Sequence, residues 1–337
     1  MDKCVTACYT QDMPLRRFVL ILMAPLLTGA GAGAAPSPVT RADVESMYEQ
    51  ARARLEDRAI QNGESVPLVL ETCVRELHPE ANRLLMDVFE GKFRGLKANP
   101  EQANRLARGL AESSKLDRMK PEYRDLRTDA MFRLARYLEK GYGCKGDKTE
   151  ACHWMQHAAE RGMPEARAEY ARYLMLGTGV QRDPGKAWDL LHTLALKQPE
   201  TRNVFFYMGY MCAQGIGMPR HSRKAFELFR MGAKMKDARC LNNLGTMFEK
   251  GYPAPRNPEY AYQLYRMAAN LGNREASANM QRLAFKEGIR ASSLSSTPIR
   301  TRVDNATLHL IRALPVTEET RDRLRYWLLL EKTSSDS

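Results

Sequence analysis

Two histidines, His153 and His157, have a spacing that is found in metal-binding and catalytic helices. A separation of four residues places both imidazoles on one helix face, as in the His-Glu-x-x-His motif of zinc proteases. The sequence here reads His-Trp-Met-Gln-His, so the glutamate that acts as general base in those enzymes is missing. Cys152 adjoins the pair and would be a third zinc ligand. We interpret both histidines as exposed helix residues and predict no metal, no cofactor and no catalytic residues.

Other catalytic motifs are also missing from the sequence. It contains no Gly-x-Ser-x-Gly nucleophile turn, no Ser-x-x-Lys constellation and no glycine loop followed by Lys-Ser or Lys-Thr. The stretch Gly141-Tyr142-Gly143 and its copies resemble helix ends more than nucleotide-binding loops. We therefore expect the function to come from a binding surface.

Residues 1–34 have the pattern of a secretory signal peptide. Arg16 and Arg17 precede an apolar run over 18–27, and a stretch of small residues follows over 29–35. The apolar run is too short to span a bilayer unaided. We predict cleavage near Ala34 and an exported protein, periplasmic or secreted, with no transmembrane helix after signal cleavage. The alternative is a membrane anchor that is retained.

Cysteine usage leaves one local disulfide open. Five cysteines lie beyond the signal segment, and this odd number leaves at least one thiol free or paired between chains. Cys144 and Cys152 lie in one turn and at the start of the following helix, which is close enough for a bridge in an oxidising compartment. Two separate thiols are the alternative. Cys212 is expected to be a small buried apolar residue.

Composition and charge indicate a soluble helical protein without a nucleic-acid surface. The chain is 44% hydrophobic and 27% charged, and its net charge is +12. The positive residues are spread among many acidic ones along the whole chain, and we predict no nucleic-acid partner. Association with anionic components of the cell envelope fits this charge, and a simply solvated surface fits it better.

The elements that must position any surface are helical hairpins, best seen around residues 177–187. Apolar residues three and four apart on both sides mark two amphipathic helices. Between them, the Gly-x-Gly turn from Gly177 to Gly179 ends the first helix, and Asp183-Pro184 begins the second. The pattern predicts a helix, a tight turn and a second helix.

This hairpin is repeated along the chain. The turn glycine recurs at spacings of 36, 38 and 36 residues, as Gly141, Gly177, Gly215 and Gly251. Small residues precede each glycine by six and follow it by ten, and large apolar pairs come next. A fixed period of this length in helix-turn-helix units predicts a solenoid. We expect the small residues to let the paired helices approach backbone to backbone, while the large residues fill the gap to the next hairpin.

These residues resemble the Sel1-like repeat, a relative of the tetratricopeptide repeat. The segments 244–251 and 177–187 match its Leu-Gly and Gly-x-Gly-Val…Lys-Ala pattern closely, whereas Cys144, Glu150 and Pro253 depart from it. The resemblance implies an all-α fold, an α-solenoid (superhelix) of helix-turn-helix repeats with helical caps. It also implies a scaffold and recognition role for most members.

The domain organisation follows from the repeat positions. We predict a signal peptide over 1–34, an N-terminal helical cap over 40–79 that opens with a Thr40–Asp43 capping box, and a degenerate first repeat with an insertion over 80–127. Four Sel1-like repeats occupy 128–276, a final helix 277–288 and a flexible linker 289–303. Residues 304–337 are expected to form C-terminal capping helices, with a partner-binding helix as the alternative.

The resemblance also places candidate binding residues. First helices of such hairpins line the concave side of the array, and the residues around the repeat's leucine would face a protein or peptide partner there. These residues are Arg133, Arg136, Glu169, Arg172, Tyr207, Tyr210, Asn242, Asn243 and Thr246. We therefore expect an exported, non-enzymatic scaffold in the bacterial envelope. The alternative is a secreted hydrolase or penicillin-binding protein, by association with cysteine-rich relatives alone.

Overall fold

The structure, a computed structural model, describes residues 40–56, 67, 69–71, 73, 78–93, 95–201 and 203–289. Every regular element in these ranges is helical, which confirms the all-α prediction. The chain divides into two units, residues 1–146 and 147–337, and each is described by itself. The predicted signal peptide, the linker from residue 290 onward and the C-terminal capping helices lie outside the described residues.

The first unit contains four described α-helices and one 3-10 helix. They are α1 (Arg41–Glu56), α2 (Pro79–Phe89), α3 (Pro100–Glu112), the 3-10 helix (Ser114–Arg118) and α4 (Pro121–Lys140). The predicted capping box at the start of α1 is confirmed, because the Thr40 backbone N–H donates to Asp43 Oδ2 at 2.8 Å and the Asp43 N–H donates to Thr40 Oγ1 at 3.2 Å. These bonds satisfy two of the amides that a helix start leaves without partners.

The core of the first unit joins α1 to α2 and to the helical residues between them. One apolar cluster buries Tyr48 of α1, Leu85 of α2, and Leu70 and Cys73 from the helical residues between these two helices. Residues 67, 69–71 and 73 are helical and lie within the helical cap predicted for 40–79. The described part of the predicted N-terminal cap therefore shares one apolar core with α2, which falls in the predicted first repeat.

The insertion predicted between the first and second repeats is a short helix and a lengthened one. The 3-10 helix follows α3 directly, and α4 then runs for 20 residues, against 11 to 14 residues for the first helices of later hairpins. Arg127 of α4 ties the two parts together, since its Nε donates to the Ala111 carbonyl at 3.0 Å and its guanidinium pairs with Asp117.

The second unit is a series of helical hairpins. Its described helices are α5 (Lys148–Glu160), α6 (Pro164–Leu176), α7 (Pro184–Lys197), α8 (Val204–Gln214), α9 (Ser222–Lys234), α10 (Ala238–Lys250), α11 (Pro258–Asn270) and α12 (Arg274–Glu287). Each helix packs against the next one in the chain. The pairs α6–α7, α8–α9 and α10–α11 are the predicted hairpins, in which we call the even-numbered member the first helix and the odd-numbered member the second helix.

The turn glycines end the first helices as predicted. Gly177, Gly215 and Gly251 are left-handed C-caps with φ between 71° and 74°, a conformation that costs glycine least. The second helices begin at polar N-caps, as predicted from Asp183, whose Oδ1 accepts the Lys186 N–H at 2.9 Å. Both ends of each hairpin turn are therefore fixed by local sequence.

The second glycine of the Gly-x-Gly turn has a different task, which is to fit one hairpin onto the preceding one. A Cβ atom on Gly179 would lie 1.9 Å from the Lys148 carbonyl oxygen at the start of α5. A Cβ on Gly217 would lie 2.8 Å from Pro184 Cβ at the start of α7. No side chain fits these contacts, so the glycines allow successive turns to pack directly on the neighbouring second helix.

The small residues of the first helices accommodate rings from their own second helices. A Cβ on Gly245 of α10 would lie 2.7 Å from Cε1 of Tyr265 in α11, and a Cβ on Gly209 of α8 would lie 2.7 Å from Cε1 of Phe229 in α9. We expected backbone-to-backbone approach at these positions. The structure corrects this detail: the gap left by the small residue is filled by an aromatic ring of the paired helix.

Candidate functional site

A polar network links first helices α6 and α8 of the second unit. Its centre is the Glu169 carboxylate of α6, which accepts from Arg172 Nε at 2.8 Å, from the Tyr207 hydroxyl at 2.8 Å and from Asn203 Nδ2 at 2.6 Å. The side chain of Glu169 is only 16% exposed, so its charge depends on these donors. Burial, reinforced by the neighbouring Glu169 carboxylate, raises the pKa of Tyr207 well above its usual range.

The network continues to the next first helix through Asn203. This residue precedes α8 with a left-handed backbone (φ 76°), which is uncommon for a residue other than glycine. Its side-chain oxygen accepts from the guanidinium of Arg239 in α10, which also pairs with Asp237 at 3.0 Å. Asn203 therefore bridges Glu169 of α6 and Arg239 of α10.

Next to this network lies a half-exposed cluster of two aromatic rings and an arginine. The Arg239 guanidinium carbon lies 4.1 Å from the Phe206 ring centroid, and the rings of Phe206 and Tyr210 stack at 6.1 Å. The Arg239 side chain is 36% exposed, and both rings are partly exposed. We name these three residues the aromatic–arginine cluster. Partly exposed aromatic residues and arginines are the types that dominate binding energy in protein interfaces.

The predicted residues of α10 have mixed exposure. Asn242 is 3% exposed and its Oδ1 accepts from Asn279 Nδ2 of α12 at 3.0 Å. Asn243 and Thr246 are partly exposed, and their side chains donate to carbonyls one turn earlier in α10. Thr246 Oγ1 also lies 3.1 Å from the Tyr265 hydroxyl oxygen.

Burial corrects the role of two predicted contact residues. Tyr207 is 4% exposed and Asn242 is 3% exposed, so neither side chain has the surface needed to contact a partner. Both are turned towards a neighbouring first helix because the polar atoms there satisfy their hydrogen bonds. Tyr207 and Asn242 therefore join adjacent first helices below the accessible residues.

The first unit holds the remaining two predicted residues, Arg133 and Arg136 of α4. Arg133 pairs with Asp87 at 2.6 Å, Glu90 at 3.0 Å and Asp129 at 2.9 Å and is 15% exposed. These carboxylates, despite the cost of burial, raise the pKa of Arg133, which stays charged. Arg136 is exposed and lies over the Phe132 ring at 5.7 Å. Arg133 thus holds helices together, and Arg136 is the accessible residue of the pair.

The two histidines of α5 lie side by side at the surface. The ring centroids of His153 and His157 are 4.4 Å apart, both residues are exposed, and His157 Nδ1 lies 3.6 Å from Glu160. Within the described ranges, no group of three or more histidine, cysteine or acidic side chains is arranged to hold a metal ion. Exposed helix positions were the interpretation favoured from the sequence.

The five cysteines that the structure describes are thiols. Cys144 Sγ accepts from Asn104 Nδ2 at 3.2 Å, and Cys152 is buried, where desolvation raises its pKa. The bridge between Cys144 and Cys152 is therefore not formed in this structure and stays a prediction for the oxidised protein. Cys212 is fully buried, as predicted, with its Sγ 3.8 Å from Met218 Sδ.

Sequence reasoning missed three residues of this region, namely Asn203, Phe206 and Arg239. Asn203 and Arg239 both lie 12 residues before their turn glycines, Gly215 and Gly251, whereas Glu169 lies eight residues before Gly177. The equivalence of Asn203 and Arg239 was a usable signal for that pair, because equivalent residues of successive hairpins lie at adjacent first helices.

The hairpins, their shared turn chemistry and the linked first helices define a helical repeat protein. Four segments of the chain match the Sel1 repeat family, residues 128–163, 164–197, 206–237 and 238–273. The chain therefore contains four Sel1 repeats. Such repeats generally mediate protein interactions. No curated protein matches the chain.

One solved structure shares the fold, and two others give lower TM-scores. A Sel1 repeat protein from Oxalobacter formigenes superimposes with a TM-score of 0.55 at 19% identity, over 80% of this chain and 96% of that one. A protective antigen of uropathogenic Escherichia coli with an SLR fold gives 0.42 at 17% identity, over 81% of this chain and 62% of that one. A putative Sel1 repeat protein from Klebsiella pneumoniae gives a TM-score of 0.41 at 18% identity, over 72% of this chain and 99% of that one.

The predicted solenoid class is thus confirmed. Among the helices that the structure describes, none combines the length and the apolar character needed to cross a membrane.

Proposed function

We propose that this chain is an exported, non-enzymatic scaffold that binds a protein or peptide partner through the first helices of its second unit. The observation that carries the proposal is the aromatic–arginine cluster of Phe206, Tyr210 and Arg239. It offers large rings with little conformational freedom and a guanidinium that pairs with carboxylates or carbonyls.

Preorganisation supports this assignment. Arg239 is held by Asn203 and Asp237, and Asn203 is held in turn by Glu169, so the guanidinium is oriented before a partner arrives. Side chains that are already fixed lose less entropy on binding, which increases affinity. Arg172 and Asn243 flank the cluster on α6 and α10 and complete the proposed contact surface. In the first unit, Arg136 is proposed as a separate contact.

Site-specific photo-crosslinking in the source cell tests the binding surface. A benzoylphenylalanine replaces Tyr210 in one variant and Tyr252, which is 67% exposed in a hairpin turn, in the matched control. We expect a discrete adduct from position 210 that position 252 does not give. The same adducts from both positions, or none from position 210, would reject this surface.

The identified partner then allows a quantitative test. Tyr210→Ala should weaken binding by about tenfold or more, as truncation of an interfacial hot spot does. Tyr252→Ala should leave the dissociation constant within about twofold, because surface residues outside an interface contribute little. Isothermal titration calorimetry measures both. Equal affinities for the two variants would contradict the proposal.

Export is a separate part of the proposal and is supported by the order of charge, apolar run and small residues in 1–36. Fusion of residues 1–36 to alkaline phosphatase lacking its own signal tests it, since that enzyme folds only after export. We expect phosphatase activity from this fusion and none when Leu20 and Leu22 are both replaced by Arg. Activity that is absent from both fusions would reject export.

A further inference from the structure

The last described helix, α12, has the ending of a first helix. Gly288 is its left-handed C-cap (φ 67°), and the Ile289 N–H donates to the Ala284 carbonyl at 3.0 Å. The same bond ends α10, where the Tyr252 N–H donates to the Met247 carbonyl at 3.1 Å. In every hairpin described for the second unit, this ending leads into a turn and a second helix.

One face of α12 is uncovered where the preceding hairpin is covered. α12 is one residue longer than α10, so Phe285 corresponds to Glu249 when counted from the N-caps Asp237 and Asn273 and to Phe248 when counted from the C-caps Gly251 and Gly288. Both positions of α10 contact the second helix α11, since the Phe248 ring centroid lies 4.6 Å from that of Tyr260. Glu249 is 11% exposed and accepts from the Tyr265 hydroxyl of its own second helix at 2.8 Å. Phe285 is 94% exposed. A single exposed phenylalanine is not unusual by itself, but this one marks the place that a second helix occupies in the hairpin before it.

The chain beyond the described residues contains a segment with the spacing of a second helix. Second helices α5, α9 and α11 carry a small residue, a large apolar residue four positions later and a small residue seven positions later, as in Ala261, Tyr265 and Ala268 of α11. Ala306, Leu310 and Ala313 have this same spacing. Asp304 and Asn305 precede them, and both residue types favour helix starts.

We propose that residues 304–314 pack on α12 as the second helix of a fifth, unusually connected hairpin, with Leu310 against Gln281 and Phe285. Counted from the N-caps, Gln281 stands where Gly245 makes room for an aromatic ring in the previous hairpin. An aliphatic residue at the facing position, Leu310, suits a site that no longer has this gap. The proposal is independent of the partner-binding surface.

The connection is long enough for this packing. A flexible stretch of about 14 residues has a root-mean-square span of roughly 20 Å, whereas packed helices lie about 8–10 Å apart. The composition of 290–303, rich in serine, fits such a stretch. Its closure costs only a little more than that of the shorter turns, because the entropic cost rises slowly with loop length.

Disulfide trapping in the full chain tests the proposal. The background carries Cys4→Ser, Cys8→Ser and Cys144→Ser, and the other four cysteines are buried. One variant adds Phe285→Cys with Leu310→Cys, and the comparison variant adds Phe285→Cys with Leu328→Cys. Air oxidation catalysed by copper phenanthroline is followed by peptide mass spectrometry. We expect the 285–310 link to form at least about tenfold faster than the 285–328 link, because docking raises the effective concentration above that of a flexible tail.

Each other result overturns the proposal. A faster 285–328 link would show that the final segment of the chain packs on α12 in place of residues 304–314. A link between a labelled and an unlabelled chain, in a mixture of the two, would show that a second copy of the protein packs there. Failure of both links, with a thiol at position 285 that reacts with maleimide as fast as one introduced by Tyr252→Cys, leaves the face open to solvent.

Discussion

The hydroxyl of Tyr207 in α8 donates to Glu169 Oε1 in α6 across 2.8 Å and joins two first helices that are 38 residues apart in sequence. Both groups are largely buried, so the hydrogen bond between them replaces the bonds that each would make to water. A repeat protein has few contacts between distant parts of its chain, and the bonds between neighbouring hairpins therefore set how firmly they hold together.

Removal of this hydroxyl should destabilise the protein. Tyr207→Phe leaves one carboxylate oxygen of Glu169 with fewer donors and is expected to lower the free energy of unfolding by about 1–2 kcal/mol. Tyr210→Phe, one turn further along α8 and partly exposed, is the matched control and should change it by less than about 0.5 kcal/mol. Urea denaturation followed by circular dichroism measures both. Equal losses of stability in the two variants would mean that the buried Tyr207 bond contributes no more than the partly exposed hydroxyl of Tyr210.

Glycine substitutions separate packing from helix propensity. Gly245→Ala brings a Cβ atom to 2.7 Å from the Tyr265 ring, whereas Gly109→Ala, on the exposed side of α3, meets nothing within 4 Å. We expect Gly245→Ala to destabilise the fold by about 1–3 kcal/mol through overpacking. Gly109→Ala should stabilise it by about 0.5–1 kcal/mol through helix propensity. Thermal unfolding of the two variants should therefore shift in opposite directions; shifts of the same sign would refute the packing argument.

The sequence was sufficient to predict the hairpins because their determinants are local. The αL glycines, Asp183 and the capping box at Thr40 each act within one or two turns of chain, and a pattern of residue types reveals them. The partners of Glu169 could not be predicted in this way. Asn203 and Tyr207 reach it across a hairpin, and that contact depends on the register in which adjacent hairpins pack.

The same limit explains why only some of the residues predicted for the concave side are exposed. A family resemblance identifies positions on the first helices, but it does not decide whether a side chain there faces solvent or a neighbouring helix. Arg136 and Tyr210 retain exposed surface, while Tyr207 and Asn242 are buried by bonds to adjacent first helices. The exposure of a side chain depends on which residue of the adjacent first helix lies opposite it. The pattern within a single repeat does not contain that information.

An imidazole begins α9, and its replacement tests the capping argument. The Nδ1 atom of His221 accepts the Lys224 N–H at 3.1 Å, in the place that Asn257 Oδ1 takes at the start of α11. His221→Ala should lower the unfolding free energy by about 1 kcal/mol, and His221→Asn should retain most of it because asparagine is a strong N-cap. Chemical denaturation compares the two. If the two variants lose the same stability, His221 does not act as a cap.

The bond between Glu249 of α10 and Arg282 of α12 should make stability depend on pH in the acid range. Both guanidinium nitrogens Nη1 and Nη2 lie 2.7 Å from the carboxylate oxygens, and Arg282, with help from the Tyr265 hydroxyl, holds the pKa of Glu249 below its ordinary value of 4.5. A carboxyl with a lowered pKa in the folded chain contributes its full stability above the ordinary pKa, and that contribution disappears as the pH falls through the lowered value.

Glu249→Gln should therefore cost about 1–2 kcal/mol at neutral pH, where the wild-type carboxylate is charged and bidentate. The difference from wild type should shrink as the pH falls below about 4, because protonation then removes the same interaction from the wild-type protein. Glu200→Gln, at an exposed loop position, is the control and should show no such convergence. Urea denaturation at a series of pH values measures both differences. A cost that stays constant from neutral to acid pH would show that Glu249 contributes through its shape alone and that its charge does not help to hold α10 against α12.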